Sequence, residues 1–265
     1  MRTALRNGFL ALVGMFLLLP LLIVVGVSVN AAKQLSFPPQ GISLAWYGAI
    51  WSEPDWRLAL QNSVLIGVCS AGLAVSIAMP LCYALWRRPG PLSRTVFSLG
   101  LAPLTLPPVI LAIGFLTFWI NVGGYGQIYA TIIAHAIFLV TVPIVTIGLG
   151  YGAIDRHLVE AARTIGATDR AVFSTIVLPL IRPYIISGFA FAFVLSLNEY
   201  IIAYMVSGFT VETVPIRIFN AIRYGYTPIM ASASVVFVLT SIIIFSLVAR
   251  WGDLPKLLGA GTRSG

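Results

Sequence analysis

Between Thr95 and Ile154 this chain of 265 residues contains no Asp, Glu, Lys or Arg. Few folds accommodate an uncharged run of that length. A helix crosses the hydrocarbon core of a bilayer in about 20 residues, so the run is too long for one crossing. Near its middle stands Asn121-Val122-Gly123-Gly124-Tyr125-Gly126, a turn composition, and two helices joined by a tight hairpin fit it. A soluble helical core is disfavoured because these residues are apolar on every face rather than along one stripe. The whole chain agrees, with 59% hydrophobic and only 9% charged residues, against about 25% charged in ordinary domains. The expected fold is an all-α integral membrane protein, one transmembrane domain over residues 1–265.

Six transmembrane helices are predicted at roughly 8–29, 62–86, 97–120, 127–150, 184–206 and 230–249. Arg2 and Arg6 precede an apolar stretch from Gly8 to Val29. A cleaved signal peptide carries an apolar core of only about 7–15 residues, so a retained first helix is expected. With the N-terminus inside, twelve of the 16 Lys and Arg residues fall on inner segments, and Lys33, Arg57, Arg217 and Arg223 fall outside. That asymmetry places both termini in the cytoplasm, together with the segment 151–183 between helices 4 and 5. It also accounts for the net charge of +8 without nucleic acid, for which no aromatic-basic stripe is present. Cys69 and Cys82 lie thirteen residues apart in one span, on roughly opposite helix faces at about 100° per residue, and read as small buried apolar residues.

Prolines stand inside the spans at Pro20, Pro80, Pro103, Pro107, Pro108 and Pro143. A membrane bundle tolerates them where neighbouring helices satisfy the freed carbonyls. Outside, Leu44, Tyr47, Ile50 and Trp51 repeat at helical spacing, with Trp46 and Trp56 nearby. They predict a short helix in the outer interface, where Trp and Tyr rings prefer to sit. The last outer loop runs from about Ser207 to Pro228.

Residues 151–183 parse as two short helices about a glycine. Ile154, Leu158, Ala161 or Ala162, and Ile165 predict one apolar stripe. Asp155 suits the positive end of the first helix, and Gly166 a left-handed cap at its end. Thr168 is the expected N-cap of the second helix, with Asp169 in its first turn. Val172, Phe173, Ile176 and Val177 make its stripe, and Pro179 and Pro183 are expected to end it. The residues alone leave two roles open for the first helix. It can rest on the inner leaflet, which suits Arg156, Arg163 and Arg170, or it can be gripped by a soluble partner.

The run Glu160-Ala161-Ala162, with Gly166 four residues on and Ile176-Val177-Leu178-Pro179 beyond, resembles the cytoplasmic loop of ATP-binding-cassette importer permeases. Trp46-Tyr47, Asn62-Ser63, Leu195-Ser196-Leu197-Asn198-Glu199, Val211-Glu212-Thr213-Val214-Pro215 and Gly225-Tyr226-Thr227-Pro228 are similar to the polyamine (spermidine/putrescine) type, so the likeness covers nearly the whole chain. The resemblance implies a type I importer permease fold in a bacterial inner membrane. It implies three kinds of partner: a dimer of cytoplasmic ATPase subunits, a second and distinct permease, and an extracytoplasmic substrate-binding protein. It further implies that Glu160, Ala161, Ala162, Arg163 and Gly166 couple the chain to the ATPase. No G-x-x-x-x-G-K-[ST] sequence occurs here, so ATP and Mg2+ would belong to the partner and this chain is no enzyme. A secondary transporter or channel working without an ATPase is the alternative.

Glu199 is the only charged side chain deep within a predicted span. Placing a carboxylate there costs roughly 2.5–3.5 kcal/mol, so it should face a bundle interior or a wet path. With Asn198, Tyr200 and Tyr204 it forms the candidate substrate pathway for a cation, or else it is the structural partner of a polar or basic group on another helix. His135 and His157 have no Cys, Asp or Glu at ligand spacing, and no metal site is expected. No catalytic nucleophile motif is present.

Overall fold

The computed structural model describes residues 2–225 and 227–251. Lys256 and Arg263 of the inner charge set, and Tyr226 of the last outer loop, lie outside the described residues. Thirteen α-helices follow one another, with no β-strand among the described residues. They are α1 (Arg2–Ser28), α2 (Ala45–Ser52), α3 (Pro54–Arg87), α4 (Pro91–Leu101), α5 (Pro108–Asn121), α6 (Ile128–Leu139) and α7 (Thr141–Gly152). After them come α8 (Arg156–Thr164), α9 (Asp169–Val172), α10 (Leu178–Asn198), α11 (Ile201–Ser207), α12 (Val214–Tyr224) and α13 (Pro228–Trp251). Four helices are long and apolar enough to cross a membrane singly: Leu5–Ser28, Pro54–Arg87, Asp169–Asn198 and Pro228–Arg250. Two bent pairs complete six crossings if each pair counts as one.

The bends correct the predicted spans, and each has a local cause. The expected third span, 97–120, is broken into α4 and α5, which meet at 107°. Pro103 starts a short 3-10 turn, Pro103–Thr105. Pro107 and Pro108 then hold Leu106 and Pro107 extended, at ψ 144° and 132°, because the ring of a proline excludes the helical conformation from the residue before it. The fourth span bends by 45° between α6 and α7, beside Pro143, whose missing N–H leaves a carbonyl free one turn back. The expected hairpin between them is present, with Gly123 at φ 75° and Gly126 at φ 79°.

The segment expected to stop at Pro179 does not stop. Asp169–Asn198 runs on as one 30-residue helix, with a π-helical stretch at Phe173–Val177 directly before α10. Widening the turn there accommodates Pro179, since a proline supplies no N–H to the preceding turn. Pro183 lies inside α10, and the Ser187 hydroxyl bonds its carbonyl at 2.8 Å. The fifth span, expected at 184–206, instead ends at Asn198. Glu199 and Tyr200 stand outside the helices, and α11 follows as a separate piece of seven residues.

Two compact units divide the chain. The first comprises residues 1–61 and 214–240. Here the outer helix α2 serves as a clasp: Trp46 Nε1 donates to the Asn30 carbonyl at 2.7 Å and Tyr47 Oη lies 2.8 Å from Ser28 Oγ. Ile50 is buried, whereas Leu44 and Trp51 of the expected stripe are exposed. Arg217 pairs with Asp55 at 2.6 Å and lies over the Trp56 ring.

The second unit comprises residues 62–213 and 241–265 and carries both candidate regions. Its densest packing joins α7 to α10. A Cβ on Gly188 would meet the Pro143 Cα at 3.0 Å, and one on Gly150 would meet the Tyr184 ring at 2.8 Å. Small residues bring the two backbones into close approach, the usual source of helix association where lipid replaces water. Ile144, Ile147, Tyr151, Val159, Val172, Val177 and Ile181 belong to one continuous core, which joins the spans to the loop helices.

Candidate functional site

Helix α8 begins at Asp155, whose carboxylate accepts the His157 N–H at 2.9 Å. It ends where Gly166, at φ +88°, reverses the chain. The Ala167 N–H returns to the Ala162 carbonyl at 3.0 Å, and the Gly166 N–H to Arg163 at 2.9 Å. This double return satisfies the last carbonyls and needs a residue free to adopt a left-handed conformation. Thr168 then caps α9, its hydroxyl accepting the Ala171 N–H at 3.3 Å. The sequence placed the caps at Gly166 and Thr168, and put Asp155 at the helix start for its charge rather than as a cap.

The facing of α8 differs from expectation. Val159 is buried at 6% exposure and Ala162 packs beside it on the core, but Leu158 is 51% and Ile165 86% exposed. Of the predicted stripe, Ile154 and Ala162 lie on the core, and Leu158 and Ile165 do not. Leu158, Ala161 and Ile165, three and seven residues along the helix from the first, form an outward row. Apolar residues flanked this closely support two registers, and contact with Val172 and Val177 selects between them. Three members of the second stripe stand as predicted, with Val172 and Val177 buried and Phe173 packed against the same core, while Ile176 is only half-buried and outside it.

Charge holds the elbow together. The Asp169 carboxylate accepts from Arg163 at 2.9 Å through one oxygen and from Arg87, at the end of α3, at 2.7 Å through the other. Each exposed pair is worth at most about 1 kcal/mol, but together they tie three elements at one point. Arg163 is therefore engaged within the chain. Glu160 differs: its side chain is 70% exposed, and the imidazole of His157, itself exposed, stands 3.9 Å away. The sequence placed Asp169 in the first turn of α9 but not in this clamp, and it did not point to Arg87 or Val159. The charge of Asp169 beside a basic loop was the one available signal.

At the other end of α10 the structure gives Glu199 a definite occupation. One carboxylate oxygen accepts the Ile202 N–H at 2.9 Å and the other the Ala203 N–H at 3.0 Å. It thus caps α11, satisfying donors that no helical carbonyl reaches. His135 Nε2 lies 3.1 Å from the second oxygen, off the line of a well-aligned hydrogen bond. His135 Nδ1 is fixed by Ser196 Oγ at 2.8 Å. The side chains of Glu199 and His135 are 7% and 1% exposed. The carboxylate is enclosed by its own fold.

The neighbours of Glu199 are less enclosed. Asn198 is exposed and returns its amide to the Val194 carbonyl at 2.8 Å. Tyr200 and Tyr204 are half-buried and stack, ring centroids 5.4 Å apart at 26°, and Phe209 lies 5.7 Å from Tyr204. The two candidate regions are distinct: one at each end of the 30-residue helix, about 45 Å apart along its axis. Among the described residues no group of three or more His, Cys, Asp or Glu could hold a metal.

Comparison with known proteins adds three observations. The family described as "Binding-protein-dependent transport system inner membrane component" matches residues 70–253. Among curated relatives, the spermidine/putrescine transport system permease protein PotC of Haemophilus influenzae is 28% identical over 94% of this chain and 98% of its own. The putrescine transport system permease protein PotI of Escherichia coli is 32% identical over 80% of this chain and 78% of its own. Among solved structures, a bacterial ABC transporter for the acidic polysaccharide alginate superposes with TM-score 0.71 at 16% identity, covering 94% of this chain and 95% of that one. The inward-facing methionine ABC transporter MetNI gives 0.64 at 20%, covering 76% and 98%.

Proposed function

The chain belongs to the family of binding-protein-dependent transport system inner membrane components, and from that premise we propose that its cargo is a polyamine of the spermidine/putrescine class. It is a multi-pass permease of an ABC importer, and the alternative of a secondary transporter or channel gives way to that membership. The cargo follows from the relatives' names, PotC and PotI alike. ATP hydrolysis falls to two cytoplasmic ATPase subunits, with ATP and Mg2+ held there. A second, distinct permease and an extracytoplasmic binding protein complete the importer. Both termini and the elbow face the cytoplasm, as the arginine asymmetry argues, and residues 1–265 act as one transport domain.

The observation that carries the coupling role is the outward row Leu158, Ala161 and Ile165 with the exposed Glu160 beside it. An apolar row and a charge of this kind, on a helix whose other face is buried, suit a groove on a partner protein. Ala161 allows close approach, and Gly166 sets the angle at which α8 leaves α9. Because Val159 and Ala162 are packed on the core of α7 and α10, a pull on α8 reaches the long helix rather than dissipating in the loop. Asp169, clamped by Arg87 and Arg163, stiffens that joint. At the far end, Asn198 and the stacked Tyr200 and Tyr204 flank the cargo route. Aromatic faces attract ammonium groups, while Glu199 keeps the helix broken so that the tyrosines stand where they do.

Reconstitution with the binding protein and the ATPase tests this reading. Wild type should take up radiolabelled putrescine or spermidine only with ATP. Glu160→Arg should insert normally yet lose at least about tenfold of uptake, since a like charge across an interface costs several kcal/mol. Undiminished uptake in that variant would remove α8 from the coupling, and failure to co-purify any ATPase would remove the importer reading itself.

A further inference from the structure

Two adjoining cavities in the second unit lie beside the elbow; neither is lined by Leu158, Ala161 and Ile165 or by the tyrosine pair, and the smaller shares Glu160 with the coupling face. The larger, about 460 Å3, is walled by Met79, Pro80, Tyr83 and Phe173, with Asp169 and Arg170 as its charged members. Tyr151 also lines it. That residue is only 2% exposed, yet its hydroxyl has no hydrogen-bond partner among the described residues. A buried donor of this kind is costly unless something accepts from it. The smaller cavity, about 170 Å3, is polar and is lined by Trp86, Arg87, Arg156, Glu160 and Arg163. The two meet across the Arg87–Asp169 pair at 2.7 Å.

Around them stand four arginines, Arg87, Arg156, Arg163 and Arg170, against two carboxylates, Asp169 and Glu160. That excess repels an amine and attracts an anion. Tyr83, Trp86 and Tyr151 pack together there, ring centroids 5.5–6.2 Å apart, and such rings favour the headgroup level of a bilayer. An apolar cavity next to a basic polar one, at that level, matches an amphiphile with a negative head.

We infer that the paired cavities hold one anionic phospholipid, its phosphate among Arg87, Arg156, Arg163 and Arg170, and an acyl chain between Met79, Tyr83 and Phe173. The Tyr151 hydroxyl donates to an ester or phosphate oxygen of that lipid. Basic pockets between membrane helices on the cytoplasmic side bind lipid head groups by this combination. Assignment to the inner leaflet rests on the inward placement of the elbow proposed above, but occupancy by the lipid does not. The bound molecule would join α3, α7 and α9 where the elbow meets the spans.

The test uses the whole importer complex in nanodiscs containing equal phosphatidylglycerol and phosphatidylcholine, with retained lipid read by native mass spectrometry. Phosphatidylglycerol should be retained over phosphatidylcholine, one molecule for each copy of this chain. Arg170→Glu, a change of two charges, should lower that retention about tenfold or more, and Met79→Trp should lower it by filling the apolar cavity. Equal retention of the two lipids, or unchanged retention in both variants, would overturn the inference. Displacement by millimolar inorganic phosphate would overturn it in favour of a free-anion site. A photo-crosslinker at Met79 that labels a protein chain instead of lipid would make the cavity a subunit contact and also overturn it. Cysteine labelling at the exposed Leu158 position reports the side of the elbow independently, so an orientation error is told apart from a lipid error.

Discussion

The two ends of the long helix Asp169–Asn198 treat charge in opposite ways. At the elbow, Glu160 and the carboxylate of Asp169 are 70% and 61% exposed, and the pairs formed there are replaceable by water. At the break, Glu199 is enclosed, with two backbone N–H groups and His135 as its company. An exposed carboxylate is available to a partner, and removing it leaves the fold nearly untouched. A carboxylate in a membrane interior must be satisfied within the bundle, so it becomes part of the fold whatever else it does. A charge in a predicted span is thus a poor guide to cargo until its partners are known.

Substitutions at the two ends should separate these cases. The largest effect is expected for Glu199→Ala, which uncaps α11 and removes the carboxylate beside His135 Nε2. A loss of roughly 1.5–3 kcal/mol is expected for each hydrogen bond to the carboxylate that is broken, read as a collapse in the melting temperature of the purified complex. A normal melting temperature together with lost uptake would instead make Glu199 a cargo contact and erase the contrast. Gly188→Leu comes next, because its side chain would enter the Pro143 backbone. Overpacking of about 1–3 kcal/mol should reduce assembly of the permease and leave any uptake in proportion to the assembled fraction.

Gly166→Val should be milder for the fold and sharper for coupling. Nothing stands within 4 Å of a Cβ there, but φ is +88°, a strain of roughly 1–3 kcal/mol for a branched residue. Uptake should fall more than the amount of inserted protein; equal falls would mean the turn angle matters only to folding. Asp169→Asn is expected to be the smallest, within about 1 kcal/mol, and its effect should shrink as salt rises. A larger, salt-independent loss would show that the clamp at the elbow behaves like the buried pair at the break.

How legible each end was follows from which interactions define it. The caps Gly166 and Thr168 were readable because a cap depends on a residue's own backbone preference and its neighbours within one turn. The facing of α8 was not, since Leu158 and Val159 are adjacent and equally apolar, and only packing on Val172 and Val177 chooses between them. Pro179 and Pro183 read as stops, yet the widened turn at Phe173–Val177 carries the helix past them. The break at Glu199 has no proline or glycine to announce it. It is made by a side chain reaching its own following turn, with His135 arriving from sixty-odd residues away in the chain.

Hydropathy by itself settled that this is a helical membrane protein, that the run from Thr95 to Ile154 folds back on itself, and that a charged elbow interrupts the spans. These are properties of transfer to lipid and of local conformation, which short windows of residues carry. The tertiary structure alone decided which face of α8 is free, where helices bend or continue, and that Glu199 is sealed against His135. Each of those turns on a contact between segments distant in the chain, and no local preference encodes which segment will arrive.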